Sequence, residues 1–198
     1  MSGPGDEIRL RKGERTRRGI LRAARAQFQQ LGYGGASIRS IAAAAEIDPS
    51  MVMRYFGSKE GLFAAAVDVD LRLPDLAGWP PAERGRRLVR HFLTRWEGDP
   101  VDDVLVLLLR SAASNDAARA RMHTVLTEQL TVRVAELGDP DGALRRAGLI
   151  ATQMLGLAYC RYVIGLPGVA TATADQLVAD LSPTVQRYLS DPLADRLG

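Results

Sequence analysis

The side chains with chemistry to offer gather between residues 37 and 59. Arg39 and Arg54 carry planar forks of N–H donors, Ser37, Ser40 and Ser50 carry hydroxyls, and Tyr55 and Lys59 follow within one turn. An arginine fork fits the two acceptors on the major-groove edge of guanine, a contact worth about 1–3 kcal/mol of discrimination. Tyr55 and Lys59 suit phosphate oxygens, which fix position without reading sequence. None of these groups forms a nucleophile–base pair, and no phosphate-cradling glycine loop is present, so the pattern points to binding and away from catalysis. His91, His123 and Cys160 are too few and too scattered for a zinc site, and no cofactor is implied.

These residues need two short helices to hold them. Ser37 is read as the N-cap of a first helix burying Ile38, Ile41, Ala42 and Ala45. Asp48-Pro49 reads as a cap followed by proline at the first helical position, where a missing N–H costs nothing. The second helix runs to about Phe56, with Val52 and Phe56 facing inward, and Gly57-Ser58 ends it. Ser58 caps a further helix through Leu62, Phe63, Ala66 and Val67. Such a pair has the dimensions of a helix-turn-helix whose second helix enters the major groove while the first braces it. Pro49, Ser50, Met51, Met53 and Arg54 then line the reading helix, with Ser37, Arg39 and Ser40 on the first turn of its brace. From the residues alone, an ordinary surface-exposed helical pair remains an equal alternative.

Charge is divided unevenly along the chain. Residues 1–60 hold 11 Arg and Lys against 6 Asp and Glu, whereas residues 61–198 hold 15 against 17. A basic end on a slightly acidic body suits a local polyanion contact. Arg9, Arg11, Lys12, Arg15, Arg17 and Arg18 supply much of that charge, and residues 1–13, without apolar periodicity, are expected to be a flexible basic tail. From Thr16, Ile20, Leu21, Ala24, Phe28 and Leu31 recur at helical spacing until Gly32. Beyond a proline-rich loop at 74–81, further helices are expected near 82–97, 101–114, 116–136, 141–165 and 173–189. No alternating strand pattern appears, so the chain is expected to be all-α, with about nine helices. One cysteine and no secretory pattern lead us to expect a cytoplasmic protein. The longest apolar runs, such as Val104 to Leu109, are too short to span a bilayer, so no membrane partner is expected.

The series Ile20-Leu21, Ala24, Phe28, Gly32-Tyr33, Ser37, Ile41-Ala42, Tyr55-Phe56, Ser58-Lys59-Glu60 and Leu62 resembles the N-terminal DNA-binding domain of TetR-family transcriptional regulators. The resemblance covers residues 14–66, about a third of the chain. It implies a helix-turn-helix domain over 14–68 and a regulatory, effector-binding and dimerisation domain over 69–198, with double-stranded DNA bearing a palindromic operator as partner. By resemblance Arg39, Pro49, Ser50, Met51 and Arg54 fall in the base-reading region, and Tyr55 and Lys59 match phosphate contacts. Two positions depart from the pattern. Glu46 stands where many members have glycine in the turn, so it is expected to be strained or the turn to be built differently. Met53 stands where many have tyrosine, and a thioether cannot donate a hydrogen bond.

One recognition helix contacts too few base pairs for useful specificity, so a homodimer is expected. Its face is sought on the last two helices, at Ala147, Ile150, Met154, Leu177, Leu181, Val185 and Tyr188, although the same positions would equally serve a core. The ending of the chain also looks like a C-terminal domain type seen in actinobacterial members. The resemblance implies an effector pocket in the middle helices, with Trp96, Leu108, Arg110, Met122, Leu126, Tyr159 and Cys160 as candidate lining. The expected function is therefore a homodimeric repressor released from DNA by a small, largely apolar effector. The alternative is a DNA-binding regulator without such a ligand, controlled by a protein partner or by abundance.

Overall fold

The computed structural model describes residues 4–98 and 103–193, and every secondary-structure element among them is helical. The chain divides into two compact units, the first ending at Asp68 and taking in Ser111–Arg121, the second comprising Val69–Arg110 and Met122–Gly198. The return of residues 111–121 to the first unit carries no sequence signal. Its visible anchor is an ion pair between Arg121 and Asp68.

Four helices build the first unit: α1 (Pro4–Gly35), α2 (Ile38–Ala44), α3 (Pro49–Phe56) and α4 (Lys59–Ala66). Contrary to the tail expected over 1–13, helix α1 already begins at Pro4; residues 1–3 lie outside the described residues. Helix does not require an apolar face when good helix formers such as Arg, Leu, Lys and Glu fill the segment. Within the α1 span, Gly32 leaves helical geometry (φ 68, ψ 173), a conformation glycine adopts without steric cost. Ile20, Ala24, Phe28, Ile41, Val52, Leu62 and Phe63 form a fully buried interior. At its heart Phe63 meets Phe28 edge-on (5.0 Å, 89°) and Tyr33 at 71° (5.0 Å), the offset arrangement that aromatic quadrupoles favour.

The second unit is a helical bundle of α5 (Arg84–Glu97), α6 (Asp103–Ser111, whose last residue belongs to the first unit), α7 (116–135, from Met122 on), α8 (140–164) and α9 (Ala174–Ser190). Helix α7 starts at Asp116–Thr124, widens to π winding over Val125–Leu130 and closes with Thr131–Ala135. Helix α8 runs Pro140–Ala158 and ends in a π segment, Tyr159–Ile164. Asp139 caps α8 through the Gly142 N–H and also holds Arg146 at 2.9 Å; Thr173 caps α9 in a reciprocal box with Gln176. Gly85 lets α5 approach α9 closely: a Cβ there would stand 2.6 Å from the Gln186 backbone nitrogen, and the Gly85 N–H donates to Gln186 Oε1 at 2.8 Å. By length and composition Pro140–Ile164 is apolar enough to cross a membrane, a property that the shorter runs noted in the sequence do not share. Its Ala143, Ala147, Ile150, Met154 and Leu157 are instead buried in the bundle core.

Candidate nucleic-acid interface

The two-helix reader is set by local hydrogen bonds. The Ser40 N–H donates to Ser37 Oγ at 3.0 Å while the Ser37 N–H donates to Ser40 Oγ at 3.1 Å, a reciprocal box that starts α2. Both serines proposed for DNA contact therefore already use their hydroxyls to cap, although Ser37 remains exposed. Asp48 accepts from the Ser50 N–H at 2.8 Å to start α3, and the Ser50 hydroxyl, then this N–H, hold its carboxyl below the usual range. Ser58 accepts from the Gly61 N–H at 3.0 Å to start α4. Between α2 and α3, Glu46 has φ 55, so the turn keeps the left-handed conformation and imposes it on a residue with a Cβ. Of the two outcomes expected at this position, the structure has the strained one.

The outward face of this pair carries Arg39, Ser50, Met53 and Arg54, all exposed, with Pro49 and Met51 half-buried beside them and Val52 fully inside. Three cations are seated on aromatic rings around the C-terminal end of α3. The Arg54 guanidinium lies 5.6 Å from the Tyr55 ring centre, Lys59 Nζ 4.5 Å from Tyr33, and the Arg17 guanidinium 5.4 Å from Phe56. Cation–π seating limits where a long side chain can swing and leaves its N–H edge available. Arg17 and Tyr33 were not among the expected site residues. Arg17 reads as one more charge of a basic run, and only its approach to Phe56 distinguishes it. Tyr33 also donates to Glu60 Oε1 at 2.7 Å. Burial, then this bond and the negative charge of Glu60, push the phenol up to about 12, and the bond lowers the Glu60 carboxyl.

The second unit encloses a cavity with about 80 Å³ open to the centre of a water-sized sphere, lined almost wholly by apolar atoms. Trp96, Leu108, Met122 and Leu126, all expected, are on its wall. Arg110, Tyr159 and Cys160, also expected, are not among its lining: Arg110 and Tyr159 face solvent, and Cys160 is half-buried elsewhere on α8. Helical period places a residue on a face, and at these three positions the face is not the one that meets the cavity. The wall also includes His91 and Arg95, one turn apart on α5, and Leu71 and Leu73 from the segment after α4. His91 Nε2 lies 3.0 Å from the Leu71 carbonyl, and since a carbonyl only accepts, this nitrogen carries the proton. Arg95 Nη2 donates to the Asp70 carbonyl at 3.0 Å. The Gln129 side chain accepts from the Leu71 N–H at 2.7 Å and donates to the Val69 carbonyl at 3.1 Å. The backbone of residues 69–71 is thus tied to two helices of the bundle.

Comparison with known proteins assigns these parts. Residues 20–66 match the family model described as bacterial regulatory proteins, tetR family, and residues 82–189 match the tetracyclin repressor-like C-terminal domain. The chain belongs to the TetR family. A TetR-family regulator from Streptomyces coelicolor is 31% identical, superposes with a TM-score of 0.61, and the match covers 90% of this chain and 96% of that one. A TetR-like regulator from Rhodococcus shares the fold with a TM-score of 0.63 at 23% identity, over 89% and 97% of the two chains. A helix-turn-helix transcriptional repressor of Mycobacterium tuberculosis is 28% identical over 180 residues, 86% of this chain and 87% of its own length. The repressor NicS of Pseudomonas putida is 38% identical over 61 residues, which span 31% of this chain but only 29% of that protein. The chain is a DNA-binding transcriptional regulator, and its family consists of regulators rather than enzymes.

In this TetR-family chain the residues expected to pair two subunits are largely used within one. Ala147, Ile150, Met154, Leu177 and Val185 are buried in the bundle core, and Leu181 and Tyr188 pack half-buried against it. Ile150 and Met154 also line the cavity. A 3.6-residue period reveals that a helix has an apolar face but not what covers it. The outward face of α8 carries other residues: Leu144, 63% exposed, then Gly148, Thr152 and Gly156, then Tyr159, 46% exposed.

Proposed function

We propose that this TetR-family regulator is a homodimeric repressor that reads a palindromic operator and releases it when a small, largely apolar effector enters the α5–α8 cavity. The observation that carries the DNA reading is the set of aromatic-seated cations around α3, with Arg54 and Lys59 held ready beside the exposed turns that face solvent. In this reading Arg39 and Arg54 contact base edges, Pro49, Ser50, Met51 and Met53 shape the fit, and Tyr55 and Lys59 hold phosphates. Ser37 and Ser40 contribute chiefly by fixing the start of α2. Met53, 44% exposed and unable to donate, favours an apolar contact such as a thymine methyl.

Pairing of subunits through the outward face of α8 is supported by the exposed Leu144 and Tyr159 flanking Gly148 and Gly156, where no other atom lies within 4 Å of a built Cβ. The effector reading rests on a cavity larger than the roughly 10–15 Å³ that one water requires on the same measure. Its lining favours a compact apolar molecule with at most one polar group. Binding such a ligand better in the DNA-incompetent conformation would shift the population off the operator. We place the protein's action in the cytoplasm.

DNA fragments selected from genomic DNA by the purified chain give the operator, and a panel of small aromatic and alicyclic compounds is then screened for release. Release by a compound that Leu126→Trp, which fills the cavity, renders ineffective supports the effector reading. Operator binding that no cavity ligand alters would assign control to a protein partner or to abundance. Failure to enrich any sequence would overturn the base-reading roles given to Arg39 and Arg54.

A further inference from the structure

Helix α1 extends far beyond the domain it belongs to. It starts at Pro4; from Gly13 to Gly19 no residue is buried, and at Ile20, which is fully buried, the match to the family's DNA-binding model also begins. Residues 4–19 form about 24 Å of helix, at about 1.5 Å per residue, ahead of Ile20. This stretch holds six Arg and Lys against three Asp and Glu. An apolar core cannot explain the charge, because Arg15, Arg17 and Arg18 are all exposed.

Two contacts join this helix to the reading surface. A Cβ at Gly13 would lie 3.5 Å from the Tyr55 hydroxyl, so glycine lets the α1 backbone come alongside that ring. One turn later the Arg17 guanidinium covers Phe56. The basic segment is thus continuous with the C-terminal end of α3, beside the phosphate-holding residues proposed above. Arg15 and Arg18 share a face three residues apart, and the bond from Arg18 Nη2 to Glu14 Oε2 at 3.1 Å is a solvent-exposed pair that exchanges readily for a phosphate.

We propose that residues 4–19 are a helical arm that binds the DNA backbone beside the half-site read by α3. This rests on the DNA-reading assignment of α3 but adds a contact surface outside it. The major groove is about 12 Å wide, so an arm of about 24 Å reaches from the groove to the phosphates that border it. The occupant is duplex DNA because the arm's sequence carries net positive charge and because Gly13 and Arg17 join it to the reading helix at Tyr55 and Phe56. Its contribution is independent of sequence: it tightens binding, steepens salt dependence and lengthens the protected DNA without adding base preference.

The test uses the full chain and a random-sequence 30-base-pair duplex, with affinity measured by fluorescence anisotropy across 50–200 mM salt. Arg15→Gln combined with Arg18→Gln is compared with Lys59→Gln, each first checked for an unchanged melting temperature. The paired arm variant is expected to lower the salt slope by about 0.9 for each phosphate it no longer neutralises, roughly 1.8 per bound chain. Arg15→Glu is expected to weaken binding further by repulsion. An unchanged slope in the arm variants while Lys59→Gln lowers it overturns the arm and leaves the α3 assignment standing. A chain whose binding none of these substitutions alters loses both.

Discussion

Arg54 and Lys59 stand at the surface of the first unit, each seated on an aromatic ring, whereas the second unit turns Leu108, Ile150 and Met154 toward a nearly apolar interior cavity. On the proposed reading the contrast follows from what each would meet. Phosphates are charged and base edges polar, and both are hydrated, so their partners need to be exposed and pre-positioned. An apolar ligand would be held by removing water from it, so its partners would need to be enclosed. The first unit consequently derives its precision from short-range hydrogen bonds at helix starts. The second derives it from close packing between helices distant in sequence.

Substitutions can separate the two designs. The largest effect is expected from Phe63→Ala, which removes the ring packed between Phe28 and Tyr33 and should cost about 3–5 kcal/mol. Chemical denaturation followed alongside DNA binding reads this, and loss of DNA binding with retained uptake of apolar ligands would show the units to be separable. Simultaneous loss of both activities would break the contrast. Gly85→Ala is the counterpart in the second unit, since its methyl would enter the Gln186 backbone; about 1–3 kcal/mol of destabilisation is expected from the denaturation midpoint.

Arg54→Ala leaves the fold intact and should weaken operator binding by about 1–3 kcal/mol while relaxing base preference, measured by competition against substituted operators. Equal loss on every sequence would reassign Arg54 to phosphate. Glu46→Gly relieves left-handed strain of about 1–2 kcal/mol but loosens the unfolded chain by about 0.4–1 kcal/mol. A change in stability between none and a gain of about 1.6 kcal/mol is therefore expected from thermal unfolding, and a loss would mean that the glutamate is held there by a compensating contact. The smallest effect is at Asp139. The Arg146 bond, then the Gly142 N–H, lower its carboxyl in the folded chain. That contribution is present above its ordinary value near 3.9 and disappears as pH falls through the lower folded value. Asp139→Asn should flatten stability against pH in that acid window; an unaltered acid limb would show the bond to be unimportant.

How legible each unit was depends on the range of its interactions. Ser37, Asp48 and Ser58 could be read as caps because a cap and its N–H lie two or three residues apart. The unusual Glu46 was legible through the family resemblance, which implies glycine in that turn. The seat of Arg17 on Phe56 was hidden, because it joins residues 39 positions apart that only the packing of α1 against α3 brings together. On α8, periodicity marked Ile150 and Met154 as apolar-face residues but could not distinguish a partner subunit from the cavity they line. Arg110, Tyr159 and Cys160 fall away from that cavity for the same reason.

Residue order was enough to specify an all-helical chain and the starts of its short helices, because hydrogen bonds and turn preferences act over a few positions. Which apolar face became cavity, which became core and which remained open on α8 emerged only from packing. So did the return of Ser111–Arg121 to the first unit and the approach of the basic α1 segment to Tyr55 and Phe56. Those outcomes depend on contacts between distant segments, and burial acts on the faces that come together regardless of their separation in the chain.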